Sequence, residues 1–169
     1  MLDLQSLADR VEIEALRGEF TDAGMMHDLD RFAALFTRDG VWRIPDAGVE
    51  FTSRDEIRAG IERLQQVWEY FVQTAHPGTI ELDGDTAYGR AYIAELGRMR
   101  AGNSHQNLAV YHDRYQRTPD GWRFAERSYE IKYLDSTPLP GVGATVTVRA
   151  DHDDTQLSSS LPSAFSPPP

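Results

Sequence analysis

Histidines stand at positions 27, 76, 105, 112 and 152 and cysteine is absent, so few side chains in this chain can move protons near neutral pH. His76 lies in FVQTAHPGTIEL, a strand-forming run that Pro77-Gly78 must bend locally. An imidazole there can relay a proton in an isomerisation or dehydration; the plainer alternative is that it hydrogen-bonds the irregular backbone before the proline. In HQNLAVYHDRYQR, residues His105, Asn107, Ala109, Tyr111, Asp113 and Tyr115 alternate with Gln106, Leu108, Val110, His112 and Arg114. The first set is expected to face inward, because it offers polar groups at separated depths. Tyr111 and His105 are then proton donors or ligand hydrogen-bonders, Asn107 a ligand contact, and Asp113 the partner of an arginine such as Arg127. Leu108 and Val110 fall on the outer face, where they suit a dimer contact. Glu130, on the following run, is expected at a cavity mouth, where burial would raise its pKa into a usable range.

These groups need elements to hold them. Residues 71 to 134 hold four strand-forming runs separated by Asp83-Gly84-Asp85, Arg100-Ala101-Gly102-Asn103 and Pro119-Asp120-Gly121, turn sequences that mark hairpins of an antiparallel meander. Residues 4 to 26 read as a helix with one stripe of Leu4, Leu7, Ala8, Val11 and Ala15 and another of Ile13, Leu16, Phe20 and Ala23, hence covered on two sides. Asp28 caps a short second helix carrying Leu29, Phe32, Ala33 and Phe36, stopped by Asp39-Gly40, and Val41 to Ile44 is a short strand closed by Pro45. A third helix begins at Ser53, whose capping-box partner is Glu56, and continues through Ile57, Ile61, Leu64 and Trp68. Helices in front and an antiparallel sheet behind make an α+β domain. Strand twist curls so long a sheet round the first helix and encloses a cavity. Phe20, Met25, Trp42, Trp68 and Phe71 are its expected lining, although aromatic residues at such spacings are more often plain core.

Composition bounds the rest. The 169 residues are 40% hydrophobic and 26% charged, enough for one core, expected over residues 1–136, followed by a Pro/Ser-rich, loosely ordered tail over 137–169. A net charge of −10 argues against a sequence-independent grip on nucleic acid or on an anionic membrane. No apolar run approaches the length of a membrane span and the start of the chain does not look like an export signal, so a soluble cytoplasmic protein is expected. The histidines share no metal-ligand spacing, Lys132 is the only lysine, and no glycine-rich phosphate loop is present, so neither metal nor cofactor is expected.

The acidic first helix running into HDLDRFAALFTRDGVW, the segment TIELDGDTAYGRAYI, and YHDRYQRTPDGWRFAERSYE together resemble the nuclear transport factor 2-like superfamily, and within it the SnoaL-like proteins. The resemblance spans about residues 5 to 135 and implies a cystatin-like cone, an α+β barrel of curved antiparallel sheet round the first helix. That group includes polyketide cyclases, ketosteroid isomerases and scytalone dehydratase relatives. Many catalytic relatives carry a tyrosine on the first helix and, five residues on, an aspartate that works with a sheet histidine. Here Phe20 and Met25 fall on those two positions, so the resemblance does not support a familiar Asp-His dyad.

The resulting expectation is a cofactor-free isomerase, dehydratase or cyclase acting by acid–base chemistry on an apolar, oxygenated molecule of polyketide or terpenoid type. His76 would shuttle the proton while Tyr111 and His105 hold a carbonyl or hydroxyl. The alternative is a non-catalytic ligand-binding or dimerisation module of the same fold. The resemblance and the apolar outer positions both imply a homodimer.

Overall fold

The computed structural model describes residues 3–143. Helix α1 (Leu4–Met25) starts at Asp3, whose carboxylate accepts the Ser6 backbone N–H. Its buried stripe is Ile13, Leu16, Phe20 and Ala23, whereas Leu4, Leu7 and Val11 are exposed. The helix is therefore covered on one side, not two, because the sheet curls round a single face of it.

Helix α2 (Leu29–Ala34) is capped by Asp28 as expected, but it stops before Phe36. Phe36 already belongs to strand β1 (Phe36–Ile44), so Asp39-Gly40 lies inside a strand and does not end the helix. Burial decides this: the Phe36 ring is fully enclosed and stands 5.3 Å from the Phe124 ring. A register shift between Phe36 and Val41 absorbs the intervening residues. Gly40 is needed there, since a Cβ would sit 2.9 Å from that of Phe36. After a turn of 3-10 helix (Pro45–Ala47), a strand not anticipated from the sequence, β2 (Val49–Thr52), pairs antiparallel with β1. Helix α3 (Arg54–Val67) has the expected cap, with Ser53 Oγ accepting the Glu56 N–H. Trp68 no longer belongs to that helix; it opens the next strand.

The four-run meander is present as β3 (Trp68–Asp83), β4 (Thr86–Met99), β5 (Ser104–Thr118) and β6 (Gly121–Asp135), each antiparallel to the next. Strand β1 joins it along β6, and that pairing is parallel. The sheet order is β2-β1-β6-β5-β4-β3, an open curved sheet with β2 and β3 at its edges. Helix followed by curved, mainly antiparallel sheet is the expected cone. Residues 136–143 leave β6 without regular structure; Leu139 N–H donates to Ser104 Oγ at 3.1 Å. The rest of the expected tail, 144–169, lies outside the described residues.

A buried polar network ties α1 to the sheet. Arg127 donates to both oxygens of Asp113, at 2.8 and 3.1 Å, with both side chains excluded from water. Tyr115 O–H donates to Asp113 at 2.6 Å and itself accepts from Arg17 Nε at 2.7 Å. The second arm of Arg17 reaches the Thr79 carbonyl across Gly89, where a Cβ would lie 2.5 Å from the guanidinium. The Arg127 guanidinium also stacks on Tyr111, 4.0 Å from its ring centre. Asp113 is thus a structural partner of Arg127, as the sequence suggests.

Candidate active site

Between α1, α3 and the concave face of the sheet lies a cavity of about 480 Å³, within the range of small-molecule sites. The alternation along β5 points His105, Asn107 and Tyr111 into it, while Gln106, Leu108 and His112 face outward and are exposed. Phe20 and Met25 of α1, Trp42 of β1 and Trp68 and Phe71 of β3 also line it. Val110 is already buried within the single chain, so of the two expected dimer-face residues only Leu108 is available.

Two expected residues lie elsewhere. His76 is exposed, and its nearest polar partner is the equally exposed Thr74 hydroxyl at 3.3 Å. The cause is parity. Gln73 pairs across the ladder with Glu95, and both face the cavity; His76, three residues on, pairs with Tyr92 on the outer face. Pro77-Gly78 does mark an irregularity, but the register shift falls between His76 and Thr79, too late to turn the imidazole inward. Glu130 lies outside the cavity as well, half-exposed and one position from the inward-facing Tyr129. It bonds outward, with Lys132 first and with His112 at 2.7 Å, and these hydrogen bonds lower its pKa instead of raising it.

The polar centre of the cavity is a residue not singled out from the sequence, Glu95. On β4 the inward positions read Ala87, Gly89, Ala91, Ile93, Glu95 and Gly97, a single carboxylate on an otherwise small or apolar face. That pattern was readable in TAYGRAYIAELG once the register was known. Glu95 Oε1 accepts from Gln73 Nε2 and Oε2 from Tyr129 O–H, both at 2.6 Å. Gln73, Glu95 and Asn107 are successive partners in a row across β3, β4 and β5. Burial removes water from the charged form and pushes the Glu95 carboxyl above its ordinary value, against the smaller opposing effect of hydrogen bonds from Tyr129, Gln73 and Asn107.

Tyr111 and Tyr129 face each other across β5 and β6 with ring centres 5.0 Å apart. Burial raises the pKa of both phenols, and the nearby Glu95 charge adds to it, so both remain O–H donors. His105 also lines the cavity, edge-on to Trp68 at 6.0 Å. Glu95 thus sits among the neutral side chains of Gln73, Asn107 and Tyr129 within a wall of Phe20, Trp42, Trp68 and Phe71, while Asp46, Glu69 and Arg100 also line the cavity. Opposite Met25 on the sheet stands Gln73, whose backbone N–H points at Met25 Sδ at 3.3 Å. Neither of those two side chains titrates; the carboxylate beside them is Glu95 on the next strand. Among the described residues, no cluster of three or more potential metal-ligating side chains occurs, and no helix is long and apolar enough to cross a membrane.

Comparison with known proteins agrees with this fold. An uncharacterised protein of Mycobacterium tuberculosis (strain ATCC 25618 / H37Rv) is 31% identical over 137 residues, covering 75% of this chain and 88% of that protein. Gamma-hexachlorocyclohexane dehydrochlorinase of Sphingobium indicum is 28% identical over 147 residues, covering 84% and 91% respectively. Among solved structures, a protein of Novosphingobium aromaticivorans described as NTF2-like with a cystatin-like fold superposes with a TM-score of 0.64 at 24% identity, covering 78% of this chain and 92% of that one. The family model described as a SnoaL-like domain matches residues 5–128, and the chain belongs to that family.

Proposed function

We propose that this protein is a cofactor-free enzyme of the isomerase or dehydratase type, in which Glu95 removes a proton from carbon in an apolar substrate held in the cavity. The observation that carries the reading is the Glu95 carboxylate set in the cavity wall with Gln73 and Tyr129 on its two oxygens, where burial raises its pKa above the ordinary glutamate value. In the step, the C–H bond breaks, its proton forms an O–H bond on Glu95, and the electron pair moves into the adjacent C–C bond. There it either delocalises onto a conjugated oxygen or expels a leaving group on the next carbon. Tyr111 and His105 face the same space and supply donors for that oxygen or leaving group. The 28%-identical relative named a dehydrochlorinase supports elimination as one outcome. The mainly aromatic and aliphatic wall supports a flat, oxygenated but largely apolar substrate of polyketide or terpenoid type.

The test uses 2-tetralone, a flat neutral ketone with acidic α-protons, in D2O, with loss of its α-proton signals followed by proton NMR. The wild type is expected to accelerate exchange over buffer, with a rate that falls as pH drops and Glu95 is protonated. Glu95→Gln is expected to lose about 100-fold or more while its circular dichroism stays unchanged. Equal exchange by the variant, or none above buffer by the wild type, would refute the assignment. A non-catalytic binding module keeps one supporting observation, the non-titrating pair Met25 and Gln73. It would show as tetralone binding without exchange.

A further inference from the structure

We propose that Gln73 is a positioning residue that fixes the orientation of the Glu95 carboxylate, and that Thr21 on α1 sets the direction of the Gln73 amide. The proposal rests on the reading of Glu95 as the base. Strand β3 is an edge strand with only β4 beside it, so nothing in the sheet holds the free side of Gln73. That role falls to one turn of α1. Thr21 and Met25 stand four residues apart on the same helical face, and each grips a different part of Gln73. Thr21 Oγ1 bonds the side-chain Oε1 at 3.1 Å, and Met25 Sδ accepts the backbone N–H at 3.3 Å. The amide then gives its Nε2 to Glu95 Oε1 at 2.6 Å.

This chain has one sense. An ionised carboxylate has no hydrogen to give, so the amide edge facing Glu95 must be the NH2 group, which leaves Oε1 for Thr21. Thr21 must therefore donate. With Tyr129 O–H on the other oxygen at 2.6 Å, the carboxylate is held from two strands and its plane is fixed, leaving a limited arc of lone-pair directions open to a substrate C–H. Without the Thr21 hydroxyl, the amide is free to turn its oxygen toward Glu95, where it would repel the charged form.

The decisive experiment titrates Glu95 directly in protein labelled with carbon-13 at the glutamate carboxyls, the resonance being assigned by its loss in Glu95→Gln. Gln73→Leu and Thr21→Val are expected to move the Glu95 midpoint upward and to slow 2-tetralone exchange at neutral pH by about tenfold, the worth of one hydrogen bond to a charged group. Thr21→Ser, which keeps the donor, is expected to match the wild type in both. A merely structural Gln73 would lower the melting temperature and leave the midpoint in place. An unmoved midpoint in Gln73→Leu, or equal behaviour of Thr21→Val and Thr21→Ser, would overturn the proposal. Because the titration needs no turnover, failure of Glu95 as the base would show separately, as undiminished exchange in Glu95→Gln.

Discussion

A carboxylate partly withdrawn from water, with neutral donors on its oxygens, costs stability when it is charged. Glu95 is in that position, with Gln73 and Tyr129 on its two oxygens. Because its folded pKa is raised above its unfolded value, the folded state binds the proton more tightly than the unfolded chain does. Its contribution to stability is therefore greatest below the unfolded pKa and is lost as pH rises through the folded one. Glu95→Gln should accordingly melt at higher temperature than the wild type at neutral pH, with the gap closing toward pH 4; thermal melts at the two pH values check this, and a gap that widens on acidification would contradict it. Asp9 behaves oppositely. The Arg117 guanidinium hydrogen-bonded to it, with help from the Trp122 and Gln5 side chains, holds its carboxyl well below the usual range, so what it contributes is present at neutral pH and lost on acidification. His76→Ala, by contrast, should leave 2-tetralone exchange within about twofold of wild type, because an exposed imidazole on the outer face touches no substrate. A tenfold loss would return His76 to the reaction.

At the scale of elements, period-two alternation was legible and register was not. The inward set on β5 follows from one strand's own pattern, so His105, Asn107 and Tyr111 were recoverable from the sequence. His76, Glu130 and Glu95 needed the pairing of two strands, and a displacement by one residue exchanges the faces. The end of α2 was missed for a different reason. Asp39-Gly40 is an ordinary helix-stop signal, but enclosure of the Phe36 ring draws the chain into β1 earlier. Strand β2 is four residues long and its side chains are half exposed, too weak a pattern to stand out. The elements are locked together at Asp113, Arg127, Tyr115 and Arg17. Asp113→Asn leaves the Arg127 charge buried without its counter-ion and should cost about 3–5 kcal/mol, read from the shift in urea midpoint. A cost below about 1 kcal/mol would mean that the aromatic rings round Arg127 carry it instead.

For the molecule as a whole, the helix-then-meander order pointed to a curved sheet wrapped round the first helix, and the resemblance to SnoaL-like proteins supplied the cystatin-like cone. The outer sheet face carries exposed Val72, Tyr88, Tyr92, Leu96 and Leu108 within a single chain. A homodimer formed through that face is proposed, and sedimentation at micromolar concentration should give twice the chain mass; Leu108→Glu should shift it to monomer. A wild-type monomer would remove the proposal and leave the cavity untouched. The fold alone does not distinguish an enzyme from a binder, since both need only a hollow cone. What separates them is whether the carboxylate at the centre of the cavity governs proton transfer. The most direct measurement is the carbon-13 titration of Glu95 set beside the pH dependence of 2-tetralone exchange in the same protein. The expected result is a Glu95 midpoint above the ordinary glutamate value that coincides with the acid limb of the exchange profile; a midpoint in the ordinary range, or an acid limb that falls elsewhere, would contradict Glu95 as the base.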